Sequence, residues 1–339
     1  MRMADTRRAL VQIRDLNVTY KTRTGVVSAV SEASLDILRG EILGLVGESG
    51  CGKSTLAKAL MRMLPTSARI EGRILFDDQD VLAFDDNQLR DFRGRRISMI
   101  FQDPMTSLNP VQRIGDHLRE AVGVHEGDMK KAVVLERIGT LIERLGIQRQ
   151  RLPDYPHQLS GGMRQRVMIG LGLVLNPHLI IADEATTSLD VIVAAKLLDQ
   201  LRDIREEFGV SILVITHNIA QVAELADRVA VMYAGRLAEV GSVYDVFDNP
   251  QHPYTQGLLQ SVPSIDLEDR GQLYKMPGEA PNLTVPPPGC RFHPRCPQVM
   301  PICSQQAPHL LPSSPGRLVN CWLYQDHPER KAPAPAGMG

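Results

Sequence analysis

The clearest chemistry in the chain sits in one short run, Gly47-Glu48-Ser49-Gly50-Cys51-Gly52-Lys53-Ser54-Thr55. It fits G-x-x-x-x-G-K-[ST], a loop that wraps phosphate. Glycines let a backbone turn tightly enough for its N–H groups to point at phosphate oxygens. A helix expected from about Lys53 to Leu64, closed by Pro65, would aim its positive end at the same anion. Lys53 is placed to neutralise the β- and γ-phosphates, and Ser54 to offer a hydroxyl to Mg²⁺. A glycine turn formed by chance would not have a buried-type strand before it and a helix after it.

A second group of acids follows another apolar run, Leu179-Ile180-Ile181-Ala182-Asp183-Glu184. Two carboxylates at a strand end are by themselves ordinary surface acids. Beside a phosphate-binding loop they read as a Mg²⁺ partner, Asp183, and a residue that polarises an attacking water, Glu184. Gln102 and His217 each stand just past an apolar run, Ile97 to Phe101 and Ser211 to Thr216. Ligands of open parallel sheets bind outside the carboxyl ends of the strands. Gly47, Gln102, Asp183 and His217 are therefore expected along one edge.

The elements that must carry these residues are legible as patterns. Val11 to Tyr20 and Ser34 to Leu38 alternate like antiparallel strands with one buried face. Glu41 to Val46, Ile97 to Phe101, Leu179 to Ala182 and Ser211 to Thr216 are short and strongly apolar, as in a mainly parallel sheet buried on both faces. Val133, Val134, Leu135, Ile138, Leu141, Ile142 and Leu145 fall at helical spacing. Val229 to Tyr233 and Arg236 to Val240 flank a turn at Ala234-Gly235. The fold class is α/β, with an antiparallel β annex and an α-helical insertion at about 105–172. Composition changes near Asn249, where proline-rich segments begin. The expected domains are 1–248 and an extension over 249–330, with a disordered tail at 331–339.

Bulk properties narrow the function. The chain has 339 residues, of which 43% are apolar, enough for one large domain and an appendage. A formal net charge of -1 gives no overall footprint for nucleic acid. No apolar run reaches the roughly 20 residues of a membrane span, and Met1 to Leu10 lacks the apolar stretch of a secretory signal. The chain is expected to stay in the cytosol and to reach a membrane only by docking on a partner.

The segment Leu159-Ser160-Gly161-Gly162-Met163-Arg164-Gln165 resembles the L-S-G-G-Q signature of the ATP-binding cassette family. The other motifs stand in that family's order over about Leu10 to Gly241, so the chain is identified as a member. The resemblance implies a P-loop NTPase core of RecA-like type. It matches Tyr20 to the aromatic that stacks on adenine, although an aromatic in an edge strand also serves as packing. It matches Gly47, Ser49, Gly50, Cys51, Gly52, Lys53, Ser54 and Thr55 to the nucleotide loop, and Gln102 to the Q-loop glutamine. Ser160, Gly161 and Gly162 match the signature, and Ser188-Leu189-Asp190 the loop that crosses to a partner. Mg²⁺ is implied on Ser54, Gln102 and Asp183, and catalysis on Glu184, His217 and Gln102. Met163 departs from the family's glutamine, but the phosphate contacts attributed to the motif come mainly from Ser160 and Gly162. Ser160 would also cap the helix behind it.

Two segments point further, Gln102-Asp103-Pro104-Met105-Thr106-Ser107-Leu108-Asn109-Pro110 and Asn249-Pro250-Gln251-His252-Pro253-Tyr254-Thr255. Both look like the oligopeptide, dipeptide and nickel importer subfamily. That resemblance implies a peptide importer, or one for nickel or another solute. Its partners would be two multi-span permeases, a second cassette subunit (identical or paralogous) and an extracytoplasmic substrate-binding protein, with the chain on the cytoplasmic face of the inner membrane. A cassette ATPase of ribosomes or nucleic acid is the competing class, but it tends to carry two cassettes or long coiled-coil insertions. Four late cysteines, Cys290, Cys296, Cys303 and Cys321, suit a [4Fe–4S] cluster or structural Zn²⁺. The absence of a tight C-x₂₋₄-C pair and the Cys296-Pro297 step favour iron–sulfur. Cys51 is read as no metal ligand, with a thiol that the nearby helix N-terminus makes reactive.

Overall fold

The computed structural model describes residues 7–23, 25–100, 108–127, 129–185, 191–262 and 276–326. The chain forms two compact units, Met1–Leu82 with Val214–Gly339, and Ala83–Leu213.

In the first unit, β1 (Ala9–Thr22) and β2 (Gly25–Leu38) pair antiparallel. Ala33, Leu35 and Ile37 alternate inward on β2, as period-two burial requires. Next comes β3 (Ile42–Val46), buried at every position, then α1 (Lys53–Leu60). This helix ends four residues earlier than its apolar pattern suggests. Arg62 adopts φ 49°, Met63 N–H bonds the Lys58 carbonyl and Arg62 N–H that of Ala59. That is a Schellman closure, made with arginine where glycine is usual. Antiparallel β4 (Ala68–Phe76) and the short β5 (Gln79–Asp80) complete a four-stranded sheet in the order β2-β1-β4-β5.

The second unit opens with α2 (Asp86–Arg95), started by a capping box in which Asp85 accepts from Gln88 N–H and the Gln88 side chain accepts from Asp85 N–H. Strand β6 (Ile97–Ile100) follows, then the helical insertion: α3 (Ile114–His125), α4 (Lys131–Arg144) and α5 (Gly161–Leu173). Strand β7 (Leu179–Asp183) runs parallel to β6 in the register Ile97 to Leu179, and α6 (Val191–Phe208) returns the chain.

With β8 (Ser211–Thr216) the chain passes back into the first unit. There α7 (Ile219–Leu225) leads to β9 (Arg228–Tyr233), parallel to β3, and β10 (Arg236–Ser242) folds back on β9. Beyond α8 (Val243–Asp248) the extension begins with α9 (Pro253–Gln260). It ends with α10 (Pro301–Gln305), β11 (Leu311–Ser314) and β12 (Arg317–Val319). β12 pairs with β10, giving the order β11-β12-β10-β9-β3. Among the described residues no helix is long and apolar enough to cross a membrane.

The seam between β10 and the extension is polar. Glu239, wholly buried on β10, accepts from Arg317 on β12 and from the N–H groups of Gln251 and His252. His252 is buried too. Its Nδ1 accepts from Tyr254 N–H at 3.0 Å, which fixes a neutral ring with its proton on Nε2, and it hydrogen-bonds the Asn320 backbone. Burial pulls its pKa down to about 4 from 6.5. A depressed pKa means the contribution is present above the unfolded value of 6.5 and is lost as pH falls toward 4. Between pH 7 and pH 5, wild type is expected to lose about 2 kcal/mol more stability than His252→Asn. Urea unfolding at both pH values measures this, and equal losses in the two proteins would refute it.

Candidate nucleotide-binding site

The loop between β3 and α1 has the shape its sequence demands. A Cβ at Gly47 would lie 2.1 Å from the Met232 carbonyl oxygen, and one at Gly52 would lie 2.2 Å from that of Ala29. With φ of 155° and 109°, both positions require glycine on conformational grounds as well. Ser49 and Gly50 are exposed at the crest. Gly52 is the N-cap of α1, and no side chain caps that helix. Its first-turn N–H groups are what an anion would take. The buried Lys53 ammonium donates to the carbonyls of Gly47 at 2.8 Å and Glu48 at 3.0 Å, so it lies folded over the loop. Ser54 and Thr55 are half-buried in the first turn, and the Tyr20 hydroxyl is 3.3 Å from Thr55 Oγ1. This cradle fits a polyphosphate.

Cys51 differs from expectation. Its thiol is 5% exposed, and burial pushes its pKa up, outweighing the pull of Lys53. The helix N-terminus does not make it a reactive thiolate, because desolvation opposes the charged form more strongly.

His217 is exposed just past β8, a neighbour of β3 in the sheet order. The turn that presents it is pinned. Thr216 Oγ1 accepts from Asn218 N–H, and the Asn218 side chain caps α7 through Ala220 N–H. Gly47 and His217 thus leave adjacent strands of the first unit.

The second unit carries the two carboxylates and the signature. Three buried residues, Ile180, Ile181 and Ala182, bring β7 to Asp183 and Glu184, both half-buried. Glu184 stands at φ 50°, a left-handed conformation that turns the chain sharply at the strand end. Ser160 Oγ accepts from Met163 N–H at 3.3 Å and caps α5. Ser160, Gly161 and Gly162 are exposed, and a Cβ on either glycine would meet nothing within 4 Å. Gln102, Ser188, Leu189 and Asp190 lie outside the described residues.

The four late cysteines, read above as metal ligands, all lie in the extension. Among the described residues no three His, Cys, Asp or Glu side chains are gathered so as to hold a metal ion. The thiols are free, and they are shared between two apolar clusters. Cys303 and Cys321 pack with Met300, Ile302, Val319 and Leu323, while Cys296 packs against the cluster of Tyr254 and Phe292. Cys290 touches both clusters. Burial pushes Cys290 up to about 11 and Cys296 up to about 12, and raises Cys321 as well. His293 turns its Nδ1 to the Cys290 carbonyl oxygen.

Glu48, Tyr254 and Arg295 were not singled out as site residues in the sequence. Tyr254 Oη accepts from Glu48 N–H, and Arg295 grips the Glu48 carboxylate. Tyr254 falls inside the His-Pro-Tyr-Thr stretch, which was the available signal. Nothing local marks Arg295, 247 residues from its partner.

Comparison with known proteins agrees with this geometry. Residues 30–187 match the ABC transporter family model, and residues 238–303 match the oligopeptide/dipeptide transporter C-terminal region. The dipeptide transport ATP-binding protein DppD of Bacillus subtilis is 45% identical, over 94% of this chain and 96% of its own. The oligopeptide transport ATP-binding protein OppD of Salmonella typhimurium is 46% identical, over 92% and 93%. Among solved structures, CbiO1 of Clostridium perfringens, part of an ABC transporter complex, superposes with TM-score 0.62 at 28% identity, covering 71% of this chain and 91% of that one. An ATP-binding cassette solved as a dimer in a post-hydrolysis state with ADP and Pi gives 0.59 at 27%, covering 69% and 98%. With relatives this similar along nearly the whole chain, the protein belongs to the ATP-hydrolysing subunits of ABC transporters, in the branch that carries the oligopeptide/dipeptide transporter C-terminal region.

Proposed function

We propose that this subunit energises import of di- or oligopeptides by closing and reopening a pair of cassettes beneath membrane permeases. The observation that carries the peptide reading is the C-terminal region at residues 238–303, in a chain whose curated relatives are named for dipeptide and oligopeptide transport. A cassette for nickel or another solute would share the same ATPase.

In this reading the residues divide the work. Backbone N–H groups at the start of α1 bind the phosphates, and Lys53 exchanges its two loop carbonyls for phosphate oxygens. Ser54, Asp183 and Gln102 would hold Mg²⁺, which would supply neutralisation of phosphate charge. Glu184 orients and polarises the attacking water, and His217 and Gln102 attend the γ-phosphate. Tyr20 stacks on adenine. Ser160, Gly161 and Gly162, exposed at the head of α5, serve the nucleotide of a second cassette, with Asp190 on the loop that crosses to it. ATP then favours the closed pair through differential affinity, and hydrolysis removes that bias.

A narrower reading places a [4Fe–4S] cluster, or zinc, on Cys290, Cys296, Cys303 and Cys321. Its support is the donor set. Each raised thiol is opposed by the charge of others in the group, and backbone N–H groups of Phe292, His293, Gln298 and Leu323 face sulfur. Such hydrogen bonds are a feature of thiolate cluster sites. It requires the thiols to draw together from the arrangement described above.

One preparation tests both readings. The tagged chain, extracted gently from its own membranes, is expected to bring two multi-span permeases and a second cassette, identified by mass spectrometry. Ribosomal or DNA-repair proteins without permeases would overturn the transport reading. Anaerobic purification is expected to yield about four iron and four sulfide per chain. One zinc without iron would replace the cluster, and no metal at all would leave the cysteines as packing residues.

A further inference from the structure

Glu48, the first variable residue of the phosphate-binding loop, makes each of its tertiary bonds among the described residues with the C-terminal extension. Its N–H donates to Tyr254 Oη on α9 at 3.0 Å. Its carboxylate accepts two bonds from Arg295, at 3.0 and 3.1 Å. Its carbonyl oxygen accepts from the ammonium of Lys53.

Arg295 is held in turn. Its Nε donates to the Pro277 carbonyl at 2.8 Å, and Nη1 also reaches Tyr233 Oη at 3.2 Å. Its side chain is 8% exposed, so the fork is not a surface pair screened by water. Bidentate guanidinium–carboxylate pairing fixes direction as well as distance. Behind it, Tyr233, Tyr254 and Phe292 form a ring cluster with centroids 4.5 to 5.5 Å apart. Four residues earlier in the same segment, Arg291 donates to the Ala234 carbonyl and to Ser31 Oγ. The neighbouring Gly235 N–H donates to the Cys51 carbonyl, so the back of the same loop is braced a second time.

We infer that Arg295 is a positioning residue of the nucleotide site, which holds Glu48 and, through the Glu48 carbonyl, sets where Lys53 stands when ATP arrives. The extension thereby tunes affinity for ATP. This rests on the assignment of Gly47 to Thr55 as the phosphate loop. Arg295 acts through Glu48 and the loop it belongs to. Its loss frees the loop to sample other shapes, and ATP must then select the competent one, which weakens binding more than it slows the bound reaction.

The test uses the full chain. ATP affinity is measured by calorimetry with Mg·ATP, and KM and kcat by phosphate release, for Arg295→Ala, Arg295→Lys and Glu48→Gln, and for the Glu48→Gln/Arg295→Ala double variant. Arg295→Ala and Glu48→Gln are each expected to raise Kd and KM about tenfold with kcat within about twofold. Arg295→Lys, which keeps charge without the fork, should fall between them and wild type. The double variant should be no worse than the poorer single one, because both remove the same interaction. A fall in thermal stability with Kd and KM unchanged, or additive losses in the double variant, would overturn the inference. Glu48→Gln keeps the side-chain shape and decides the matter if Arg295→Ala folds poorly. Lys53→Ala separates the two levels of argument: it should abolish ATP binding, and intact binding there would sink the loop assignment together with this inference.

Discussion

Glu184→Gln is expected to lower steady-state ATP turnover by at least about 100-fold while leaving ATP bound. The substitution keeps the shape of the side chain and removes the charge to which the proposed mechanism assigns the polarising of water. Nothing else at the end of β7 is changed, since the sharp backbone turn at φ 50° places the residue whichever side chain it carries. The phosphate cradle between β3 and α1 belongs to the other unit and remains intact. Binding and hydrolysis should therefore separate. ATP that is held but not cleaved should keep two cassettes closed on each other, with the exposed Ser160-Gly161-Gly162 end of α5 engaged. Size-exclusion chromatography with Mg·ATP is expected to show a persistent dimer for the variant and a transient one for wild type. Normal phosphate release by the variant would remove Glu184 from the reaction.

The largest effect on stability is expected from Arg317→Met. Glu239 is wholly buried, and Arg317 is its only cationic partner among the described residues, at 2.5 Å and with 4% side-chain exposure. Breaking one side of a buried pair costs about 3 to 5 kcal/mol, because the remaining charge has lost its compensation without regaining water. The N–H groups of Gln251 and His252 still reach Glu239, so the lower half of that range applies. The thermal midpoint should fall by roughly 5 °C. Replacing both partners, Glu239→Gln with Arg317→Met, should recover part of the loss, since the unpaired charge is gone. Equal midpoints for Arg317→Met and wild type would mean that the pair contributes nothing to the seam.

The contrast between these two sites shows what could be read from the sequence. The phosphate loop, the carboxylate strand and the signature were legible because each is local: a few consecutive residues specify both the chemistry and the turn that presents it. The parallel strands were legible because burial on both faces leaves a continuous apolar run. β4 was not, since Gly72 interrupts it and only Ile74, Phe76 and their neighbours at one end alternate inward. Gly72 sits at φ 103° against the carbonyls of Arg14 and Asp15, a close approach that only the partner strand explains. The early stop of α1 depends on a left-handed arginine, which no propensity favours. The capping box at Asp85 and Gln88 could have been found and would have placed the start of α2. Pairs such as Glu239 with Arg317 and Glu48 with Arg295 are products of the tertiary fold, and neither partner carries a local mark.

The cysteines mark the other limit. Four of them near one end of a chain invite a ligand set, but spacing does not say whether thiols meet or pack. Here they share apolar clusters with Met300, Ile302 and Phe292, and the iron and sulfide content of the anaerobically purified chain decides between packing and ligation.

The pairing of β12 with β10 means that the cassette cannot be shortened to its family core without a penalty at the cut. A chain ended near Asn249 would expose the outer backbone groups of β10 as an open sheet edge, with N–H and C=O groups ready to accept a strand from another molecule. The same cut would strip Glu239 of Arg317 and Glu48 of Arg295. Such a fragment is expected to self-associate when expressed alone. Chimaeras that exchange extensions between paralogous cassettes will need to carry both acidic residues, or neither, if the grafted module is to close the edge it was built to cover.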